Sequence, residues 1–349
     1  MMNCPHLTVV IPTLDEEKTL PFLLAGLHAQ QGVELEVIVV DGGSRDRTRE
    51  IAEKAGAEVL AGERGRASQM NHGARRATHE LLLFLHADSR IKGPRLLERA
   101  HRSFEERRAA GQTRIAGHFS LYFQCARGPC GRIYRFLEAK TRHNRPHTIN
   151  GDQGMLIHRD FFRELGGFDE SLPFLEDQRL AARVREHGEW FTLPGSLETS
   201  ARRFETEGFW ERYALMAIIM GAHAAEVDEF FDALPALYES QSETGPLDLG
   251  AYLAMLGPLL ARMGPRRTLE VWMEVGRFVR GNAWQLFLLA DVLREDPNEE
   301  ALRFFDEHIA QSLDHKGFDL LAMVLTAATI HGVLPMATGL SKILARTGR

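Results

Sequence analysis

Cysteine is scarce in this chain: Cys4, Cys125 and Cys130 are the only three among 349 residues. Three cannot build a disulfide framework, and no C-x-x-C pair offers zinc ligands, so the expectation is buried or idle thiols in a reducing cytosol. Long hydrophobic runs are also few. The longest apolar stretch, residues 213–225, is too short for a bilayer, which predicts no transmembrane segment. The opening MMNCPHLTVVIP has neither the basic region nor the apolar core of a signal peptide, and a cytoplasmic location is expected. Positive charge is not in excess: the net charge is −6 and the pI about 6.2, which argues against a general nucleic-acid binder. There is no G-x-G-x-x-G fingerprint and no fixed internal repeat. What remains is ordinary for a globular protein, 44% hydrophobic and 26% charged, in a chain long enough for a large domain plus a smaller one.

The first 90 residues alternate apolar runs with amphipathic segments. Residues 7–11 read as a strand closed by Pro12. Asp15, Glu16 and Glu17 then open a helix carrying Leu20, Leu23, Leu24 and Leu27 on one face. A strand over 35–40, a helix over 48–54, a short strand over 58–60, a helix over roughly 67–77 and a strand over 81–85 follow. Their short connections predict right-handed βαβ crossovers and a mostly parallel sheet with helices on both faces, an α/β fold. Past Asp88 the pattern becomes a charged helix over 93–110 and an alternating strand over 114–124. Strands over 155–158, 190–193 and 199–204 and a helix over 176–187 complete this half. From about Gly208 the chain reads as helical, with a polar linker candidate at 238–250. Breaks at Gly264-Pro265, Gly281-Asn282, Asp296-Pro297, Gly317 and Gly332 predict five or six helices beyond it. The expected division is a domain over 1–225, a linker over 226–250 and an all-α domain over 251–349.

The residues that could carry chemistry cluster at strand ends. In LLLFLHADSR, residues 81–90, an unalternating strand stops at His86, Ala87, Asp88 and Ser89, on the edge where open α/β sheets bind ligands. A carboxylate there suits a divalent metal; a simple turn cap is the plain alternative. Asp41, followed by Gly42 and Gly43, could accept hydrogen bonds from a nucleobase or ribose, or could simply build a turn. Arg64 and Arg66 precede a helix, where guanidinium forks and helix N-terminal amides suit phosphate oxygens. Glu176 and Asp177 open a helix, either as favourable electrostatics at its positive end or as a general base. Gly151-Asp152-Gln153-Gly154 reads as a turn or a substrate-lining loop.

In this order the pieces resemble the family 2 glycosyltransferases with their GT-A nucleotide-sugar-binding fold. The matching text is VVIPTLDEE at 9–17, VIVVDGGSRDRT at 37–48, GRASQMN at 65–71, FLHADS at 84–89 and LEDQRLAARV at 175–184. The resemblance implies that Pro12, Thr13, Leu14 and Glu16 wall the nucleotide base and ribose and that Asp41 is the nucleoside-binding acid. It further implies that Arg66, Gln69 and Asn71 reach the nucleotide and its diphosphate. Asp88 matches the metal-binding end of an Asp-x-Asp motif, Asp177 the catalytic base, and Glu176 a neighbour that contacts the acceptor or positions that base. The chain departs at the first motif position, where His86 replaces aspartate, with contact to ribose or metal left open. A soluble branch of the family is similar in spelling this motif His-Ala-Asp.

The activity implied is inverting transfer of a sugar from a nucleotide-diphosphate donor, UDP-linked on family grounds, with Mg²⁺ or Mn²⁺. Donor sugar and acceptor stay unidentified. Arg202 and Arg203 could add charge near the diphosphate or be a solvated pair. Two other readings stay open. A sugar-phosphate nucleotidyltransferase should carry a glycine- and basic-rich signature after the first strand, where this chain has PTLDEE. A non-catalytic nucleotide-sensing protein would make use of the C-terminal helices. His308, His315 and His331 are scattered, and Trp272, Phe278, Trp284, Phe287 and Leu288 suit a bundle core, with peripheral membrane contact, a second subunit or a protein partner as the alternative for that surface.

Overall fold

The computed structural model describes residues 5–126, 128–172, 174–234 and 245–336. They form two compact units, Met1–Ser200 and Ala201–Arg349. The division falls ahead of the boundary expected at 225. Within the expected linker, Asp228–Ala233 is helical, and residues 235–244 lie outside the described part. Cys4 lies outside it too.

The first unit is built on one eight-stranded sheet. Its first four strands are β1 (His6–Thr13), β2 (Glu34–Asp41), β3 (Glu58–Ala61) and β4 (Leu81–Phe84), all parallel. The other four are β5 (Arg90–Ile91), β6 (Ile115–Gln124), β7 (Met155–His158) and β8 (Glu189–Ser200). The spatial order is β3-β2-β1-β4-β7-β6-β8-β5. β7 runs antiparallel to both β4 and β6, while β6 and β8 are parallel, so the second half is mixed. Among the described residues seven α-helices accompany it: α1 (Leu20–His28), α2 (Thr48–Lys54), α3 (Arg66–Arg76), α4 (Leu96–Ala109), α5 (Arg132–Lys140), α6 (Arg159–Glu164) and α7 (Glu176–His187).

Strand alternation sends side chains to opposite faces. Leu7, Val9 and Ile11 of β1 join the leucines of α1 and Leu96, Leu97, Ala100 and Phe104 of α4 in one core. Val10 faces the other way, into a core with Ala67, Met70 and Ala74 of α3, Phe161 and Phe162 of α6, and Leu180, Ala181 and Val184 of α7. Each fully buried leucine contributes roughly 1.5–3 kcal/mol. Gly73 lets α3 lie close to the sheet, since a Cβ there would come within 2.4 Å of Val10 Cγ1.

Three local expectations change. The helix expected from Asp15 starts only at Leu20, because the backbone N–H groups of Asp15, Glu16 and Glu17 bond across to Ser44 Oγ, Thr48 Oγ1 and Asp46 Oδ2. The strands expected over 190–193 and 199–204 are a single strand, β8, followed by a helix. Finally, Cys125 and Cys130 form a disulfide with Cα atoms 5.4 Å apart, correcting the idle-thiol reading. Such bonds persist mainly in oxidising compartments, so the cysteines do not support a reducing cytosol.

The second unit contains α8 (Arg202–Glu207), α9 (Phe209–Ala224), α10 (Asp228–Ala233), α11 (Leu249–Gly281) and α12 (Trp284–Arg294). α13 (Glu300–Phe304), α14 (Ala310–Leu313) and α15 (Lys316–Ala328) follow. α11 kinks at Gly264 (φ 73°), the break expected from Gly264-Pro265. Trp284 and Leu288 are buried, and Asp291 caps α13 by accepting from Ala301 and Leu302 N–H, each at 2.8 Å. One helical stretch, Lys316–Met336, is long and apolar enough to cross a membrane, with a mean hydropathy of 1.6 and only 6% of it buried. This is a property of length and composition, and it leaves the expectation of no transmembrane segment untested. Lys316, Asp319 and His331 interrupt the run, yet the average over a helix-length window remains apolar, and Asp319 is buried against Arg280.

Candidate active site

The carboxyl ends of β1, β2 and β4 lie side by side where strand order reverses, the edge at which open α/β sheets place ligands. Thr13 and Asp41 are register partners there. Asp41 is 1% exposed. Its Oδ1 accepts from Gly43 N–H at 3.2 Å and Ser44 N–H at 3.1 Å, while Ser44 Oγ–H donates to Oδ2. The acid is thus committed to its own turn. Pro12 and Thr13 are buried beside it, and Leu14 and Glu16 are half-buried on the following loop.

Past β4, the pairing of Phe84 with Met155 brings the chain after β4 alongside the chain before β7. A 3₁₀ turn, Gly151–Gln153, therefore faces His86 and Asp88, closed by reciprocal bonds between Asn150 and Gln153. His86 Nδ1 lies 2.7 Å from Asp152 Oδ1. Gly151 is required here, because a Cβ would come within 2.5 Å of His86 Nε2. Its N–H donates to Asp177 Oδ2 at 2.7 Å. Asp177 and Glu176 stand at the start of α7, directly after Leu175 in the left-handed region (φ 65°), a conformation that costs about 1–3 kcal/mol for a non-glycine residue and recurs at functional sites. Arg66, at the start of α3, pairs with the buried Glu176 at 3.4 Å.

Arg66, His86, Asp88, Asp152, Glu176 and Asp177 form one electrostatic cluster. Burial and the adjacent Glu176 push the Asp177 carboxyl up to about 6, against the Gly151 N–H, Arg66 and His86, which favour its ionised form. Burial and the charge of Asp152 hold Asp88 above the usual carboxyl range, despite His86 and Arg66. Burial and Arg66 disfavour the charge of His86, yet the bond to Asp152 and the charges of Asp152 and Asp88 raise its pKa overall. Desolvation opposes the Arg66 charge too, and the surrounding carboxylates outweigh it. Crowded acids of this kind fit a divalent cation. Among the described residues no group of three or more His, Cys, Asp or Glu side chains could hold a metal unaided. A cation here would complete its shell from phosphate oxygens and water, as Mg²⁺ commonly does.

Two residues assigned to the nucleotide are occupied elsewhere. Gln69 donates its amide to the carbonyls of Thr13 (2.8 Å) and Val40 (2.6 Å), tying the ends of β1 and β2 together. Asn71 donates to Phe168 O and Glu170 Oε1 and accepts from Phe168 N–H, locking α3 to the loop after α6. Residues two apart on a helix point roughly 200° apart, so Gln69 and Asn71 leave α3 on different sides. Asp152 is the cluster member that the sequence offered only as part of a turn or a substrate-lining loop. Its signal was an acid between glycines just before a strand.

Residues 8–166 match the family model for glycosyl transferase family 2. The likeness to the family 2 glycosyltransferases thus lies within the N-terminal unit. Over 124 residues, 33% of each chain, it is 33% identical to the 4,4'-diaponeurosporenoate glycosyltransferase of Staphylococcus haemolyticus. Over 97 residues it is 35% identical to the PGL/p-HBAD biosynthesis glycosyltransferase of Mycobacterium bovis, covering 26% of this chain and 38% of that one. The chain thus spans about a third of the length of these relatives. A looser likeness, 17% identity at a TM-score of 0.49, covers 95% of this chain and 89% of the mannosyltransferase PcManGT from Pyrobaculum calidifontis, solved with GDP-Man and Mn²⁺. The family match ends before Glu176 and Asp177, so the case for those two acids in the glycosyltransferase domain rests on geometry.

Proposed function

We propose that the chain transfers a sugar from a nucleotide-diphosphate donor, UDP-linked, to an acceptor hydroxyl with inversion of the anomeric centre. The observation that carries this reading is the convergence of Asp177, its carboxyl raised to about 6, with Arg66 and the His86–Asp88 segment at the nucleotide end of a family 2 sheet. At neutral pH Asp177 is mostly ionised and able to take a proton. It accepts the acceptor hydroxyl proton as that oxygen bonds to the anomeric carbon and the bond from that carbon to the diphosphate oxygen breaks, its electron pair leaving with the nucleotide. Arg66 offers positive charge toward the leaving diphosphate; Glu176 pairs with Arg66 and its charge raises the Asp177 carboxyl. Asp88 would hold a divalent cation, Mg²⁺ or Mn²⁺, which supplies Lewis-acid neutralisation of the leaving diphosphate. The backbone at Pro12, Thr13, Leu14 and Glu16, with Asp41 behind it, shapes the nucleoside end.

A panel of UDP- and GDP-sugars incubated with the protein, with and without Mn²⁺, tests the reading through donor hydrolysis or transfer to added alcohols. Metal-dependent release of one nucleoside diphosphate is the expected result. Binding of a nucleotide with no turnover of any donor, in the presence of hydroxyl acceptors, would favour a sensing protein instead.

A further inference from the structure

His86 occupies the position where the metal motif has its first acid, and neither of its ring nitrogens is open to a ligand. Nδ1 is engaged by Asp152 at 2.7 Å, and Nε2 is buried without a hydrogen-bond partner, against the backbone at Gly151. A direct contact from this imidazole to metal or ribose would require it to leave its seat. Asp152, by contrast, keeps half of its side-chain surface exposed (52%). The antiparallel pairing of β4 with β7 holds the 151–153 turn beside 86–88 whatever the side chains do. The reciprocal Asn150–Gln153 bonds then fix the turn itself. The 2.7 Å contact of Asp152 with His86, two residues before Asp88, brings this carboxylate to the same segment as Asp88.

We propose that Asp152 supplies the second carboxylate of the cation site, standing in for the acid missing at position 86, with His86 as the positioning residue that aims it. This rests on the function proposed above. A carboxylate pair completed by phosphate oxygens and water is a sufficient protein contribution for Mg²⁺ or Mn²⁺. The exchange is economical in geometry: an acid on β7's approach replaces an acid on β4's exit, and a histidine fills the vacated place between them.

The test is Mn²⁺ binding to the full chain, read by loss of the free-ion EPR signal, with UDP or GDP present at saturation. Asp152→Asn keeps the size and hydrogen-bonding capacity of the side chain and should weaken Mn²⁺ binding about tenfold or more, as expected when a site loses a carboxylate. The double variant His86→Asp with Asp152→Asn should recover most of that loss, because it restores an acid at the motif position. Asp88→Ala is the reference for a lost site. Wild-type Mn²⁺ affinity in Asp152→Asn, with affinity lost in Asp88→Ala, overturns the role of Asp152 and leaves the proposed function standing. A double variant no better than Asp152→Asn overturns the stand-in relation. If the wild-type chain binds neither nucleotide with Mn²⁺, the proposed function fails and this inference falls with it.

Discussion

Along β1 in the first unit, every residue from Leu7 to Thr13 is buried. Along Lys316–Met336 in the second, Leu320, Leu321, Val324, Leu325, Val333 and Met336 each keep at least half of their surface exposed. The contrast extends to polar groups. In the first unit, buried Glu176 and half-buried Asp177 and Asp88 gather around Arg66. Buried acids of the second do structural tasks: Asp291 caps α13, and Asp319 pairs with Arg280. A closed core with a concentrated electrostatic edge is suited to chemistry. A helical unit that leaves apolar surface uncovered is suited to contact with something apolar.

The largest expected effect lies in the first unit. Asp177→Asn should lower sugar transfer by about 10²–10⁴-fold with nucleotide affinity kept, measured by turnover alongside calorimetry. Loss from substituting any acid of the second unit on that scale would break the comparison. Core packing gives the next difference. Leu83→Ala should cost about 2–5 kcal/mol in denaturant unfolding, because Leu83 is fully buried under the first core. Leu321→Ser, on a residue 52% exposed, should stay within roughly 0.5 kcal/mol while reducing adsorption to lipid vesicles or self-association.

A pH series sharpens the same contrast. Asp177 is the proposed base, so kcat/KM should fall as pH drops through about 6 and the carboxyl takes up a proton. Stability should move the other way. A carboxyl raised above its unfolded value of 3.8 favours the fold while protonated, and that contribution is lost as pH rises from about 4 through about 6. Asp177→Asn should therefore be the more stable protein at pH 8, by on the order of 1 kcal/mol, and no more stable than wild type below pH 4. The smallest effect is chemical. Thiol titration of the unfolded, unreduced chain should count one free thiol and, after reduction, three, given the Cys125–Cys130 bond. Three free thiols before reduction would return the cysteines to the idle state expected from their number.

The sequence by itself determined the parallel half of the sheet. Unalternating runs such as Leu81–Phe84, separated by leucine-striped helices, have few other ways to bury their side chains, and α2, β7 and α7 stand at the bounds read from pattern alone. It also named Arg66, His86, Asp88, Glu176 and Asp177, because each sits at an element end where backbone dipoles or strand edges favour charge. Only the tertiary structure decided what these residues meet. Family resemblance alone places Gln69 and Asn71 at the nucleotide, and in the fold Gln69 donates to the carbonyls of Thr13 and Val40 while Asn71 bonds Phe168 and Glu170. Asp152 belongs to a segment that reads as a turn or a substrate-lining loop, and the β4–β7 pairing brings it to His86. Likewise Cys125 and Cys130 became partners only in the fold, and the helical stretch Lys316–Met336 runs through the breaks expected at Gly317 and Gly332. Periodicity reports which face of an element is apolar, a local property of a few successive residues. Which polar groups are neutralised, and by whom, depends on pairings between residues far apart in the chain, and those exist only once the sheet and the helix packing have formed.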